Sequence, residues 1–414
     1  MIIYKIASKL SKYPHIKRFL KDGYQMMGAL LSDKKTSPNT IQCVSDQKYE
    51  NLFGYYDKSP WNADGNKMIY LRVNNADKKY VSNEPAAIIL KDLSDNTEDI
   101  IAYSNSWNVQ QGCMLQWLGP GFDSDILYND FRDGRYCSII LNLETLKEKI
   151  IDFPVYAVSN DGKTAISLDF SRLNTLRPGY GYCNITDLTI NELCPDKPCM
   201  WKVDLLNNSS LPLFTYRQLS NFEHKKTMDN AHHKVNHIMI SPSGTRMMFL
   251  HRWIENGLKY DRLFTCDING ENLYNLLDED MVSHSNWRDD SSIITWANTY
   301  ENGAHYYILK DRTNEREIFG EDILTVDGHP SFSPNGKLLV TDTYPDFRRK
   351  QTLFIADLSK GEIKKIASIF ANVKYRNEVR CDLHPRWKRN SKEICFDGAQ
   401  TFKRQVYTIK IEEE

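Results

Sequence analysis

The amino-acid sequence predicts an all-β protein, a seven-bladed β-propeller with a short N-terminal helical extension. A unit of two short strands joined by a polar turn recurs roughly every 45 residues along the chain. Each unit continues into a second pair of alternating apolar and polar residues, without an intervening helical pattern. One such unit cannot bury its own faces, so the repeat predicts blades packed around a central axis.

The clearest copies of the unit begin at a histidine. One reads His329-Pro-Ser-Phe-Ser-Pro-Asn-Gly, followed by Leu-Leu-Val-Thr-Asp. Its turn has suitable residues, because proline presets φ and Asn or Gly tolerates the left-handed conformation. Three earlier copies, around residues 61–65, 117–121 and 158–162, keep the turn without the histidine. The chain therefore contains seven units, one for each predicted blade.

The histidines that begin the four later copies are candidate metal ligands. The first strand of a propeller blade lines the axis, so residues repeated at its start are expected to converge on the channel. Neutral imidazole suits a divalent metal, with Mn as our first expectation and Zn, Fe or Ni as alternatives. In a second interpretation these histidines only cap backbone groups at repeated tight turns, and both interpretations stay open. The four residues are His237, His284, His329 and His384.

Residues 1–40 differ from the propeller, which we place at residues 41–414. Residues 1–35 contain eight Lys or Arg and two Asp, and their apolar residues recur near helical spacing. No apolar stretch is long enough for a secretory signal or a membrane span. This basic amphipathic segment is either an interfacial helix drawn to anionic lipid or a helix that packs on the propeller. We expect a cytoplasmic protein, located at the inner face of the membrane if the first interpretation holds.

Composition excludes two other classes of protein. A net charge of -1 predicts no general affinity for nucleic acid. Nine cysteines, an odd number at irregular spacing, favour free thiols over a disulfide framework. Cys194 and Cys199 stand close enough in sequence to close a small loop or bind a metal, but no second close pair completes a zinc site. We therefore expect a globular protein with reduced cysteines.

A long insertion at about residues 170–236 interrupts the blade rhythm. It leads directly into the strand that begins at His237, so its end should lie near the mouth of the channel. Its Arg, Tyr, His and Lys residues suit an anionic, sugar-like ligand, because guanidinium groups pair with carboxylates and aromatic faces stack on sugar rings. The candidate substrate-binding residues are Arg172, Arg177, Tyr180, Tyr182 and Lys234.

The phrases Asn236-His-Ile-Met-Ile-Ser-Pro-Ser-Gly, His329-Pro-Ser-Phe-Ser-Pro-Asn-Gly and His384-Pro-Arg-Trp resemble the blades of oligogalacturonate lyases. Those proteins are seven-bladed propellers that hold a divalent metal on channel histidines and cleave uronate oligomers by β-elimination. The resemblance spans the propeller in architecture but only the axial strands in motif, and Tol-type periplasmic propellers share the turn. The lyases add a glutamine ligand shortly before the last histidine, whereas this chain offers Glu378 or Asp382 there.

The resemblance implies a mechanism on an acidic, uronate-containing oligosaccharide. The metal would bind the uronate carboxylate and acidify the proton on the adjacent carbon, which a base then removes. The guanidinium of Arg252 or Arg172 would hold the carboxylate. A neutral histidine has a pKa suited to the role of base. The candidate bases are His232, His233 and His251.

A second resemblance is to propeller proteins encoded among bacterial surface-polysaccharide genes, for O-antigen or capsule. Their blades read much like Asp382-Leu-His-Pro-Arg-Trp in this chain. That group has no settled chemistry. A glycosyltransferase would need a nucleotide-sugar element, and neither a glycine-rich loop nor an Asp-x-Asp motif stands in a strand-turn-helix setting here. A glycosyltransferase-associated or non-catalytic propeller in surface-glycan assembly therefore remains the alternative to a lyase.

Overall fold

A computed structural model describes residues 14–38, 40–78, 84–279 and 281–411. In these residues the strands form seven antiparallel four-stranded sheets, and the third to seventh sheets contact one another in turn through their inner strands. The seven-bladed propeller that the sequence predicts is confirmed.

Six blades are each built from four consecutive strands. Blades one to three contain β2 (Glu50–Leu52), β3 (Lys67–Val73), β4 (Ala86–Asp92), β5 (Glu98–Ser104), β6 (Gln116–Trp117), β7 (Asp125–Arg132), β8 (Arg135–Asn142), β9 (Glu148–Ile151), β10 (Ala157–Val158), β11 (Thr164–Leu168), β12 (Pro198–Asp204) and β13 (Ser209–Thr215). Blades four to six contain β14 (His232–Ile240), β15 (Arg246–Glu255), β16 (Leu258–Asp267), β17 (Tyr274–Leu277), β18 (Met281–Trp287), β19 (Ser292–Thr299), β20 (Gly303–Lys310), β21 (Arg316–Phe319), β22 (Ser331–Phe332), β23 (Leu338–Asp342), β24 (Lys350–Asp357) and β25 (Glu362–Phe370).

The seventh blade closes the ring with strands from both ends of the chain. It contains β26 (Arg386–Trp387), β27 (Glu393–Gly398) and β28 (Gln405–Lys410), and β1 (Gln42–Cys43) pairs with the outer edge of β28. Inside the blade the carboxylate of Asp397 accepts hydrogen bonds from Arg386 at 2.7 Å and Arg404 at 2.9 Å, and all three side chains are buried. Arg404 also donates to the carbonyl of Val109, so the charges link the last blade to the start of the ring.

Tryptophans on the inner strands join neighbouring blades. The indole N–H of Trp117 donates to the carbonyl of Pro60 in the preceding blade at 2.8 Å, and Trp387 donates to Ser331 in the same way at 2.9 Å. A buried indole needs a partner for its one polar atom. The repeat thus supplies an apolar ring for the core between blades and a hydrogen bond that fixes their spacing.

Three α-helices lie outside the blades in the described residues, together with two short 3-10 helices, Lys226–Met228 and Asn377–Val379. The α-helices are α1 (Pro14–Leu31), α2 (Phe170–Leu176) and α3 (Tyr216–Asn221). The predicted insertion at 170–236 holds α2, the outer strands β12 and β13, and α3. Residues 1–13 of the predicted extension lie outside the described residues. Among the residues described, no helix is long and apolar enough to cross a membrane. All nine cysteines are free thiols, including Cys194 and Cys199.

Candidate metal centre and channel mouth

The four repeated histidines meet at the axis of the propeller. The ring of His329 lies 4.2 Å from the ring of His284 and 4.3 Å from that of His384, measured between centroids. The ring of His237 lies 5.8 Å from that of His284. Two of these histidines, His237 and His284, stand at β-bulges in β14 and β18, and a bulge redirects a side chain relative to a regular strand.

Three buried residues form a possible metal site in the part of the chain that the structure describes. One ligand atom from each of His329, Asp382 and His384 lies within 4.8 Å of the other two. Nε2 of His329 and both ring nitrogens of His384 are buried without a hydrogen-bond partner in the structure. Leaving a buried polar atom unpaired is costly. These donor atoms therefore fit a divalent ion, and Asp382 stands where the sequence offered an acidic residue instead of the lyase glutamine.

The carboxylate of Asp342 orients His329. It accepts hydrogen bonds from Nδ1 of His329 at 2.8 Å and from the backbone N–H of the same residue at 2.7 Å. Burial alone would lower the pKa of His329, but the charge and hydrogen bond of Asp342, together with the charges of Asp382 and Asp327, raise it above its ordinary value. With Nδ1–H committed to Asp342, Nε2 is the nitrogen that presents a lone pair to the site.

Asp382 is held as an anion by Arg380. Nη2 of Arg380 donates to Asp382 at 2.8 Å, and Nε donates to the second carboxylate oxygen. Burial raises the pKa of Asp382, yet the Arg380 guanidinium more than offsets it and the pKa lies below its ordinary value. The same guanidinium lies over the ring of Tyr344, 4.3 Å from its centroid. The acidic ligand is thus ionised and fixed in position.

His284 and His237 have different surroundings from these three residues. Nδ1 of His284 lies 3.1 Å from the carboxylate of Asp327, and burial lowers the pKa of His284. For His237, the backbone N–H of Ser285 donates to Nε2 at 3.0 Å, so Nδ1 carries the proton and donates to the hydroxyl of Tyr55 at 2.8 Å. Both nitrogens of His237 are therefore engaged by the protein, unlike those of the three-residue site.

A basic wall adjoins the axial histidines. Arg252 lies 3.0 Å from the carboxylate of Asp261. Burial is the largest cause of the lowered pKa of His237 and of His284, and the charge of Arg252 lowers both pKa values further. Lys234 lies opposite Arg252 in the β14–β15 register, is buried, and donates to the carbonyl of Leu176 at 3.2 Å. Burial, reinforced by Arg252, lowers the pKa of Lys234 well below its usual range. An amine with a lowered pKa therefore lies beside the guanidinium of Arg252.

A cavity of about 180 Å³ opens next to this wall. Arg380 belongs both to the lining of the cavity and to the ion pair with Asp382, so the cavity and the three-residue site are adjacent. The guanidinium of Arg177 lies 5.2 Å from the ring centroid of Tyr180. The lining consists of Lys21, Gln110, Arg177, Pro178, Tyr180, Asn377, Glu378 and Arg380. Glu378 thus lies in the cavity wall, whereas Asp382 lies in the possible metal site.

The structure places the candidate bases His233 and His251 inside the protein, where their rings are hydrogen-bonded. Arg262 donates to Nδ1 of His251 at 3.1 Å, so Nε2–H of His251 donates to Nδ1 of His233 at 2.9 Å. The remaining nitrogen of His233 then donates to the carbonyl of Met228. Every ring nitrogen is used within blade four, and both side chains are fully buried. His232, the third candidate, is half-buried at the start of β14, and burial lowers its pKa.

Two predicted substrate-binding residues, Arg172 and Tyr182, are buried in the structure. The buried guanidinium of Arg172 donates to the backbone carbonyls of Thr189, Glu192, Leu193 and His233. It therefore pins the insertion to blade four and has no face left for a ligand. Tyr182 is buried, stacks on Phe170 with 4.4 Å between ring centroids, and bonds Asn129 through its hydroxyl. Arg177, Tyr180 and Lys234 lie at or next to the cavity.

The repeat in the sequence does not indicate the tyrosines that surround the histidines. Tyr55 lies 5.0 Å from the ring of His384 and bonds His237, and the ring of Tyr344 lies 5.6 Å from that of His329. Aligned on the repeated turn, the counterpart of His329 in the first blade is Lys58, because Lys58 stands three residues before Trp61 as His329 stands three before Phe332. The carbonyl of Pro60 accepts from Trp117 as that of Ser331 accepts from Trp387, which fixes this alignment. Tyr55 therefore lies outside the repeated position, and the repeat gave no signal for it.

No protein-family model and no curated protein matches the chain. Among solved structures, it is similar to an oligogalacturonate lyase in complex with manganese, with 15% identity, a TM-score of 0.65 and coverage of 92% of this chain and 98% of that chain. An oligogalacturonate lyase from Vibrio parahaemolyticus gives 13% identity, a TM-score of 0.64 and coverage of 90% and 94%. The β-propeller domain of the trilobed protease from Pyrococcus furiosus gives 12% identity, a TM-score of 0.52, and coverage of 89% of this chain and 96% of that chain. At these identities the likeness establishes the fold, and it confirms the resemblance to oligogalacturonate lyases at that level.

Proposed function

We propose that this propeller binds a divalent metal at its axis and cleaves a uronate-containing glycan by β-elimination. The observation that carries the proposal is the position of Arg380. Its guanidinium pairs with Asp382 of the possible metal site and also lines the cavity that contains Arg177 and Tyr180. A metal site and an anion-binding cavity that share one residue suit a reaction at the carboxylate of an acidic sugar.

His329, Asp382 and His384 would hold the metal, and manganese is the first ion to test because a similar lyase structure contains it. A divalent ion held there would act as a Lewis acid and stabilise the charge that develops on a uronate carboxylate when the adjacent carbon loses its proton. His284, next to His329, is the closest histidine that would extend this set.

The cavity would bind the sugar through two kinds of contact. Arg177 is positioned to pair with the carboxylate of a neighbouring uronate unit, because a guanidinium matches a carboxylate in two hydrogen bonds. Tyr180, under that guanidinium, offers an aromatic face for a sugar ring. Arg252, which already pairs with Asp261, adds positive potential at the axis.

Lys234 is the base that we propose. Burial and the nearby guanidinium groups of Arg252 and Arg177 lower the pKa of its amine well below its usual range, which favours the neutral form that can accept a proton. The amine would take the proton from the carbon adjacent to the carboxylate. The electron pair of that C–H bond would form a carbon–carbon double bond as the glycosidic C–O bond breaks, and the leaving oxygen would take a proton from solvent.

The test is the ultraviolet absorbance of an unsaturated uronate product. Purified protein dialysed against Mn²⁺ is mixed with oligogalacturonate, with oligoglucuronate and with a neutral oligosaccharide as control. We expect absorbance to rise with an acidic substrate only, and to be lost in Lys234→Met and after chelation. No rise with either acidic oligosaccharide from a protein that holds its metal would contradict the lyase proposal and favour a non-catalytic propeller in glycan assembly.

A further inference from the structure

The N-terminal helix α1 presents an apolar face that no part of the described structure covers. Phe19, Met26 and Leu30 form one row on the helix, and Leu20, Met27 and Leu31 form an adjoining row, with members seven and four residues apart. Phe19 is 77% exposed and Leu30 is 81% exposed, and the other four are more than half exposed. We call these six residues the apolar face of α1.

The opposite side of α1 is fixed to the propeller. A Cβ atom at Gly28 would overlap the carbonyl oxygen of Phe347, so the backbones are in close contact, and Ala29 is buried. The ring of Tyr24 packs on Phe347 with 4.6 Å between centroids. The helix is therefore attached along one side, and its apolar face points away from the protein. Exposed apolar patches on this scale usually mark interaction sites.

The charges around α1 select the partner. Of the two aspartates in residues 1–35, Asp22 pairs with Arg376 at 3.5 Å and Asp33 with Lys350 at 2.5 Å, so both are neutralised by the propeller. Lys34 and Lys35 follow the helix and are exposed, and six further Lys or Arg lie earlier in the segment. An apolar face in a segment with an excess of positive charge complements an anionic lipid surface, where acyl chains lie beneath negative headgroups.

We propose that the apolar face of α1 docks on an anionic lipid bilayer. Lys21 lies on the attached side of the same helix and lines the cavity next to the possible metal site. Docking would therefore hold the cavity about one helix diameter, ~10 Å, from the bilayer surface. This proposal does not depend on the reaction, because it rests on α1 alone.

The test is co-sedimentation of the full chain with vesicles of phosphatidylcholine containing about one third phosphatidylglycerol, compared with pure phosphatidylcholine. We expect binding to the anionic vesicles that weakens as salt rises. The double variant Met27→Glu/Leu30→Glu should bind at least ~10-fold more weakly, since it removes apolar burial and adds repulsion. Phe402→Glu is the matched control, because Phe402 is 84% exposed elsewhere on the propeller and should leave binding unchanged.

Several results would overturn the proposal. One is wild-type protein that stays in the supernatant with anionic vesicles at low salt. Another is a double variant that binds as the wild type does. A third is a dimer, seen by light scattering without lipid and lost in the double variant, which would show that a second copy of the chain covers this face. An unchanged melting temperature in the double variant ensures that lost binding does not reflect unfolding.

Discussion

Asp342 accepts a hydrogen bond from Nδ1 of His329 at 2.8 Å and so directs Nε2 of that histidine to the propeller axis. The same carboxylate also accepts from the backbone N–H groups of His329 and His384. Asp342 comes from the end of β23, the strand next to the inner strand of blade six. One acidic residue behind the site therefore fixes the positions of two proposed ligands.

Replacing Asp342 tests this positioning role. We expect Asp342→Asn to weaken metal affinity about 10- to 100-fold, although none of the three proposed ligand residues is itself replaced. Titration of the metal-free protein with Mn²⁺ measures the change. Asp327→Asn is the comparison, because Asp327 bonds His284 outside the three-residue site, and it should weaken the affinity less. Equal affinities in wild type and Asp342→Asn would contradict the role.

Lys234 predicts the direction of the pH dependence of activity. Its amine acts as a base only when neutral, so the rate should rise with pH as the amine loses its proton and then level off. The guanidinium group introduced by Lys234→Arg stays protonated at all accessible pH values and cannot act as a base. The rate should therefore fall at least ~100-fold, the lower range for loss of a general base. Substrate affinity should change far less than the rate. A Lys234→Arg variant with a normal rate would exclude this base.

The buried pair of His233 and His251 predicts a loss of stability in mild acid. Burial lowers the pKa of His233 to about 4 and that of His251 well below its usual range. In the unfolded chain both residues take up protons near pH 6.5, so below this pH the unfolded state binds more protons. Stability is therefore complete above about pH 6.5 and falls by ~3 kcal/mol for His233 alone between there and pH 4.

Urea unfolding at a series of pH values measures this effect. Between pH 4 and 6.5, the slope of the unfolding free energy against pH reports how many protons the chain takes up on unfolding. In His233→Gln this number should be smaller by about one. His305→Gln, at a half-buried site in β20, should keep the wild-type slope. If His233→Gln also keeps that slope, the two rings do not stay neutral in the folded protein.

The buried charges of the seventh blade predict that replacing one charged residue by a neutral one strongly lowers the free energy of unfolding. Asp397→Asn removes the charge between Arg386 and Arg404, and uncompensated buried guanidinium groups should cost about 3–5 kcal/mol. Glu315→Gln, which removes an exposed pair with Lys310, should cost less than ~1 kcal/mol. Denaturant midpoints compare the two. A similar small cost for both would mean that Asp397 does not hold the ring closed.

The repeat in the sequence was enough to predict the seven blades, because turn residues and alternation report local backbone structure. It also located His329 and His384, whose units begin at equivalent positions. The role of His237 was not predictable in this way. At its bulge the side chain meets the N–H of Ser285 in the next blade, and such contacts depend on how blades pack.

The basic insertion is a second place where the sequence does not predict the contacts of a side chain. Arg172 and Arg177 stand in one segment and have the same chemistry, yet one is buried against backbone carbonyls and the other lines the cavity. The sequence predicts an insertion rich in basic residues near the channel. It does not predict which of these residues binds backbone carbonyls and which lines the cavity. Asp342 was missed for a related reason, since it lies thirteen residues after the histidine that it orients and only strand pairing brings them together.

Elemental analysis of the purified protein measures whether His329, Asp382 and His384 hold a metal ion. After dialysis against Mn²⁺ or Zn²⁺ and removal of free ions, we predict about one divalent ion per chain in wild type and in His305→Ala, with the ion lost in His384→Ala and Asp382→Asn. Wild-type protein without metal, or His384→Ala protein that keeps it, would exclude a metal site at these three residues.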